Sequence, residues 1–119
     1  MPQMGKTLAL GRVGAGVGGL LAPGLLSKAF GLNLDANPQA GIYARMFGTR
    51  ELMLAGAVLA GGPAAKGYAI KAGIGVDLGD AIGAVVEGKA GRMPGMSSKL
   101  VAAVALGAVA MGVMALSEE

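Results

Sequence analysis

The sequence predicts an all-α protein, an antiparallel four-helix transmembrane bundle that makes one domain of residues 1–119. Three observations lead there. Only 14% of residues are charged and 54% are hydrophobic, whereas a soluble domain averages about 25% charged; the mean hydropathy is +0.63. Glycine contributes 23 of 119 residues with neither the proline nor the three-residue period of collagen, a composition suited to closely packed membrane helices. The apolar residues fall into four runs divided by short loops that carry helix stop and start signals.

Composition also narrows the chemistry. The chain has no cysteine, histidine or tryptophan, which excludes a disulfide framework, thiol catalysis and any Cys or His metal site, and removes the usual proton shuttle near neutral pH. No catalytic residue, cofactor or metal is expected, and the chain does not read as an enzyme. The net charge of +3 comes without the grouped Lys and Arg that track a phosphate backbone, so nucleic acid is not an expected partner.

The first helix is expected over about residues 4–29. Thr7 to Leu26 is apolar and small except for Arg12, and Pro23 should bend the helix. A basic start and an apolar middle resemble a signal peptide, but Arg12 interrupts the run and no A-x-A site follows, so a retained helix is the better reading. Gly14-Ala15-Gly16-Val17-Gly18-Gly19 fits G-x-G-x-x-G with Asp35 downstream. A dinucleotide site needs a preceding strand and a βαβ unit, however, and Thr7–Gly11 is a poor strand. Glycine-lined helix packing explains the run better.

Gly31 is a natural stop, and Asn37-Pro38 offers an N-cap and a first helical residue. The second helix is expected over about 38–60, halted by Gly61-Gly62-Pro63, and the third over about 64–87. Residues 88–98 form the last loop. Ser97 or Ser98 is expected to cap the fourth helix, about 98–117, in which Leu100 to Leu116 is free of charge and close to the ~20 residues of a span. Short connections make neighbouring helices antiparallel and put both termini on one side. Lys28, Lys89, Arg92 and Lys99 against Lys6, Lys66 and Lys71 lean the first and third loops toward the cytoplasm.

Six charges fall inside these runs: Arg12, Arg45, Arg50, Glu51, Asp77 and Asp80. One charge at the centre of a bilayer costs at least ~2.5–3.5 kcal/mol, so the six are expected to meet. Counted from Pro63, Arg50 matches Asp77 in depth and Arg45 matches Asp80. Arg12 and Glu51 complete a set of three positive and three negative groups. Arg45 and Arg50, five apart, cannot share one narrow face, so one of them should also turn to Glu51 or the first helix. Arginine suits the task because its planar fork can hold two carboxylates. Such a cluster is either a static network that fixes which helix packs where or a polar cavity or proton path. The methionines read as packing filler, not as a metal site.

The layout resembles small four-helix membrane proteins of the DUF4267 and DoxX-like kind, found in actinobacteria. The residues that carry the resemblance are Gly11-Arg12 with Gly16, the Ala22-Pro23 to Phe30-Gly31 exit, Arg45-x-Phe47-Gly48-x-Arg50-Glu51 with Gly56, and Asp77-x-x-Asp80-Ala81. The resemblance implies an integral membrane protein with no established activity. The expected role is a structural or accessory subunit in a bacterial inner (plasma) membrane. Its partners would be the lipid bilayer and either a second copy or a larger membrane protein, packed on Gly14/Gly18, Gly75/Gly79/Gly83 or Ala103/Gly107. The rivals are a small transporter or ligand-binding bundle that uses the charged cluster, and a holin-like pore former.

Overall fold

The computed structural model describes residues 3–118, and among them the protein is all-helical, with no strand. Five α-helices follow in order: α1 (Gln3–Leu21), α2 (Pro23–Ala29), α3 (Gly41–Ala60), α4 (Pro63–Lys89) and α5 (Gly95–Ser117), with a 3-10 turn at Pro38–Ala40 leading into α3. The first expected helix is therefore two. Ala22 leaves the helical region (φ −138°, ψ 60°) because the ring of the following proline disfavours α geometry there. The break is a bend in a continuing chain, since Ala22 N–H still reaches the Gly18 carbonyl and Leu26 N–H the Ala22 carbonyl.

Two helices end on a left-handed glycine. At the end of α2, Gly31 takes φ +77°; its N–H bonds to the Lys28 carbonyl and that of Leu32 to the Ser27 carbonyl. Gly91 (φ +74°) does the same for α4, with Gly91 bonded to Gly88 and Arg92 to Glu87. Both are Schellman ends, which satisfy carbonyls that the last turn leaves without partners. In the loop between, Asn33 Oδ1 accepts the N–H of Asp35 at 2.9 Å. Pro38 opens its turn as expected, but Asn37 makes no side-chain cap. The serine caps expected on the last helix are corrected too. α5 starts at Gly95 after Pro94, so Ser97 and Ser98 lie inside its first turn, buried, and Ser98 Oγ donates to the Ala84 carbonyl at 2.7 Å.

The principal packing is α1 along α3 and α4 along α5, with lighter contacts of α1 with α5 and α3 with α4. Glycine sets the first of these. A Cβ on Gly48 would lie 2.6 Å from the Gly16 carbonyl oxygen, and one on Gly19 would lie 2.7 Å from that of Ala44, so the two backbones touch with no side chain between them. By contrast, Gly75, Gly79 and Gly83 have nothing within reach of an added Cβ; this ridge of α4 faces outward. The start of α1 is tied to the end of α5 as well, with Met4 N–H donating to the Glu118 carboxylate at 2.9 Å.

The core is small and alanine-rich. Besides Leu8 and Ile70, its apolar members are Ala9, Ala55, Ala69, Ala81, Ala84, Ala105 and Ala115. The larger apolar side chains are largely outside, among them Leu10, Leu21, Leu25, Met53, Ile82 and Val104. Among the described residues α5 is the one helix long and apolar enough to cross a membrane by length and composition.

Candidate functional site: a buried arginine–carboxylate cluster

Arg12 occupies the middle of the buried stripe of α1, which runs Gly5, Leu8, Ala9, Arg12, Gly16, Gly19. That three-and-four spacing keeps one face of the helix inward. With small residues around it, the arginine is the one side chain on the stripe long enough to reach past α3 to α4. Its Nη1 donates to Glu51 Oε2 at 2.6 Å and to Asp77 Oδ1 at 3.2 Å, while Nη2 donates to Asp77 Oδ2 at 2.6 Å. One guanidinium thus joins three helices. The slot it lies in exists because residue 73 is glycine, since a Cβ there would come 2.6 Å from Arg12 Nη2. Gly73 and Asp77, one turn apart, present the gap and the partner on the same face of α4. The side chains of Arg12, Glu51 and Asp77 are only 7, 6 and 4% exposed.

A second pair borders the first. Arg50 Nη1 and Nη2 grip Asp80 Oδ1 and Oδ2 at 3.2 and 2.6 Å, the paired geometry that favours arginine over lysine. Its Nη2 is also 3.7 Å from Glu51 Oε1, and the guanidinium lies over the Phe47 ring at 5.0 Å, within cation–π range. This pair is less protected, with Arg50 35% and Asp80 29% exposed. Arg50 Nε is buried without a hydrogen-bond partner among the described residues.

The pairings expected from depth are corrected. Asp77 belongs to Arg12 and not to Arg50; Asp80 belongs to Arg50 and not to Arg45. Arg45 is exposed and outside the cluster, its Nη1 donating at 2.5 Å to the Leu20 carbonyl in the last turn of α1. Equal depth is a one-dimensional condition, and direction around the helix axis decides the rest. At ~100° per residue, Arg45 and Arg50 leave α3 on opposite flanks of the face that buries Gly48, Glu51 and Ala55. Only the Arg50 flank looks toward α4. Arg45→Ala is therefore expected to cost less than ~1 kcal/mol, as an exposed bond; a loss in thermal unfolding comparable with that of Arg12→Ala would restore it to the cluster.

One oxygen from each of Glu51, Asp77 and Asp80 lies within 4.8 Å of the others. Most of their coordinating capacity is already taken, since both oxygens of each aspartate and one of the glutamate accept guanidinium N–H groups. Two open apolar grooves border α3, of about 580 and 420 Å³, and Arg50 reaches both, but neither is lined by any of the three carboxylates. The arrangement is thus a cross-brace among α1, α3 and α4 in which two guanidinium groups bind three carboxyl groups directly. The chain matches no protein-family model, no curated protein and no solved structure in the comparisons made.

Proposed function

We propose that this is an integral membrane protein of a bacterial inner membrane in which α1, α3, α4 and α5 cross as an antiparallel bundle, and that it serves as a structural or accessory subunit. The observation that carries the reading is the inverted polarity of the fold. Arg12, Glu51, Asp77, Ser27, Ser97 and Ser98 are buried among glycine and alanine, while most of the large apolar side chains, Leu8 and Ile70 apart, are exposed or half-buried. A soluble chain of this size needs those large side chains for its core, because burial of apolar area is its main driving force. Lipid removes that need and leaves close contact of small residues and polar pairing to hold helices together.

Dimensions agree. The four helices have 19, 20, 27 and 23 residues, about 28–40 Å at ~1.5 Å per residue, against a hydrocarbon layer of ~30 Å. The cluster lies at the midpoints of three of them: Arg12 has nine residues of α1 on either side, Glu51 ten and nine of α3, Asp77 fourteen and twelve of α4. A water-filled site would leave such charges hydrated, whereas a lipid setting requires each to find a partner. Only 22% of the apolar window of α5 is buried, unlike the core helix of a soluble protein. The other three helices are less apolar because glycine and charged residues interrupt them.

The structural role, as against transport, is supported by direct side-chain pairing and by the absence of the carboxylates from either groove lining. The outward ridge Gly75/Gly79/Gly83 offers a close approach for a neighbouring helix. In a bacterial host the protein is expected to sediment with membranes, to stay there through high-salt and alkaline carbonate washes, and to come off only in detergent. Release by carbonate alone would sink the membrane reading.

A further inference from the structure

Three of the four arginines grip carboxylates: Arg12 holds Glu51 and Asp77, Arg50 holds Asp80, and Arg92 holds Glu87. Arg45 does not. Its one bond runs from Nη1 to the Leu20 carbonyl, a neutral acceptor that takes one of the five N–H groups of a guanidinium. Among the described residues the charge of Arg45 has no counter-ion within bonding distance, and the side chain is exposed.

The bond also fixes the height of that charge. Leu20 is next to last in α1, and Arg45 stands four residues inside α3, ~6 Å from its start. Two residues before it Tyr43 is exposed, as tyrosine is at the edge of a membrane. In a bundle that crosses the bilayer, this level is where hydrocarbon gives way to headgroups, and a long cationic side chain turns its charge toward them. The same end of the fold carries Lys28, Lys89, Arg92 and Lys99 against Asp35 and Glu87, a positive excess that attracts anionic groups.

Beside Arg45, the outer face of α3 forms the smaller groove, about 420 Å³, lined also by Ile42, Met46, Thr49 and Arg50. Its other polar groups are largely committed. Arg50 is gripped by Asp80, and Thr49 Oγ1 donates to the Arg45 carbonyl at 3.1 Å.

We propose that Arg45 and this groove bind one anionic phospholipid, with the phosphate on Nε and Nη2 of Arg45 and an acyl chain along Ile42, Met46 and Thr49. Charge and shape match the two halves of that molecule. A planar guanidinium suits phosphate oxygens, and the apolar trough next to it suits a hydrocarbon chain. Free phosphate would use only the first feature and a neutral lipid only the second. The inference rests on the membrane reading above and adds to it a bound lipid of defined charge.

The test is thermal unfolding of the full-length protein, purified in a neutral maltoside detergent, during titration with phosphatidylglycerol. Phosphatidylcholine with the same chains and inorganic phosphate are the comparison ligands. Phosphatidylglycerol is expected to raise the wild-type midpoint to a plateau at concentrations where the other two have little effect. Arg45→Gln, which loses only an exposed bond, should fold and need about fivefold more phosphatidylglycerol for the same shift. Arg45→Lys should fall between the two, and Lys71→Gln, at the opposite end of the fold, should titrate as wild type does. Equal stabilisation by both lipids, or an Arg45→Gln titration identical to wild type, overturns the proposal. Inorganic phosphate as effective as phosphatidylglycerol overturns it in favour of a free-anion site. Protein that stays in the membrane through carbonate yet gives one of these results leaves the membrane reading standing and removes the lipid site alone; release by carbonate removes both.

Discussion

Replacing Arg12 with alanine is expected to destabilise the protein more than any other single charge deletion. Asp77 loses the guanidinium that grips it and Glu51 loses its Arg12 donor at once, and removal of one partner from a buried pair costs about 3–5 kcal/mol. For a domain of this size that is a drop of ~10 °C or more in Tm, measurable by circular dichroism in detergent. The reason is the stranded charge more than the lost bond, so Asp77→Ala combined with Arg12→Ala should be far less harmful than the sum of the two. Additive losses would mean that water reaches the pair. Arg12→Lys should recover only part of the loss, since an ammonium cannot present two nitrogens to Asp77 and also reach Glu51. Arg50→Ala, by comparison, removes a pair that is about a third exposed and screened by its surroundings; its cost should be nearer ~1–2 kcal/mol.

The contrast between these two arginines also marks what the sequence made legible. Arg12, Arg50, Glu51, Asp77 and Asp80 were readable as a group because charge is so scarce in the apolar runs that each one needs a partner. The helices were readable from their punctuation: Gly31, Pro38 and Gly61-Gly62-Pro63 stand within a residue or two of observed boundaries. Partner choice was not readable, because depth along a hairpin says nothing of azimuth. A signal for Arg12 did exist. Gly5, Leu8, Ala9, Gly16 and Gly19 surround it at helical spacing and mark its face as the packed one, and Gly73 one turn before Asp77 marks the gap that receives it. The expected serine cap failed for a related reason. Ser97 and Ser98 belong to a helix that Pro94 lets start earlier, and Ser98 is consumed by the bond to Ala84. The split at Ala22 was half legible, since Pro23 announced a bend but not whether the chain on either side would remain one helix.

The cross-brace depends on a contact that contains no charge. Arg12 can reach Asp77 only if α1 lies close enough to α3, and that distance is set where Gly16 and Gly19 meet Gly48. Gly48→Val would place its Cβ 2.6 Å from the Gly16 carbonyl oxygen, with backbone and not a flexible side-chain end as the obstacle. The helices must separate or slide. Overpacking of this kind costs typically 1–3 kcal/mol, and here it also loosens the Arg12 bonds one helical turn away, so the combined loss should exceed ~3 kcal/mol. Gly75→Val, on the outward ridge of α4 with nothing within 4 Å, is the matched control and should leave the unfolding midpoint of the isolated chain nearly unchanged. The two variants separate the levels of organisation. If Gly48→Val unfolds as wild type does, α1 and α3 are not in backbone contact, and the reach of Arg12 needs another explanation. If Gly48→Val is destabilised and Arg12→Ala adds little to it, the glycine crossing and the ion pair act as one unit: close backbone approach on one side, and on the other the buried charge that only such an approach can satisfy.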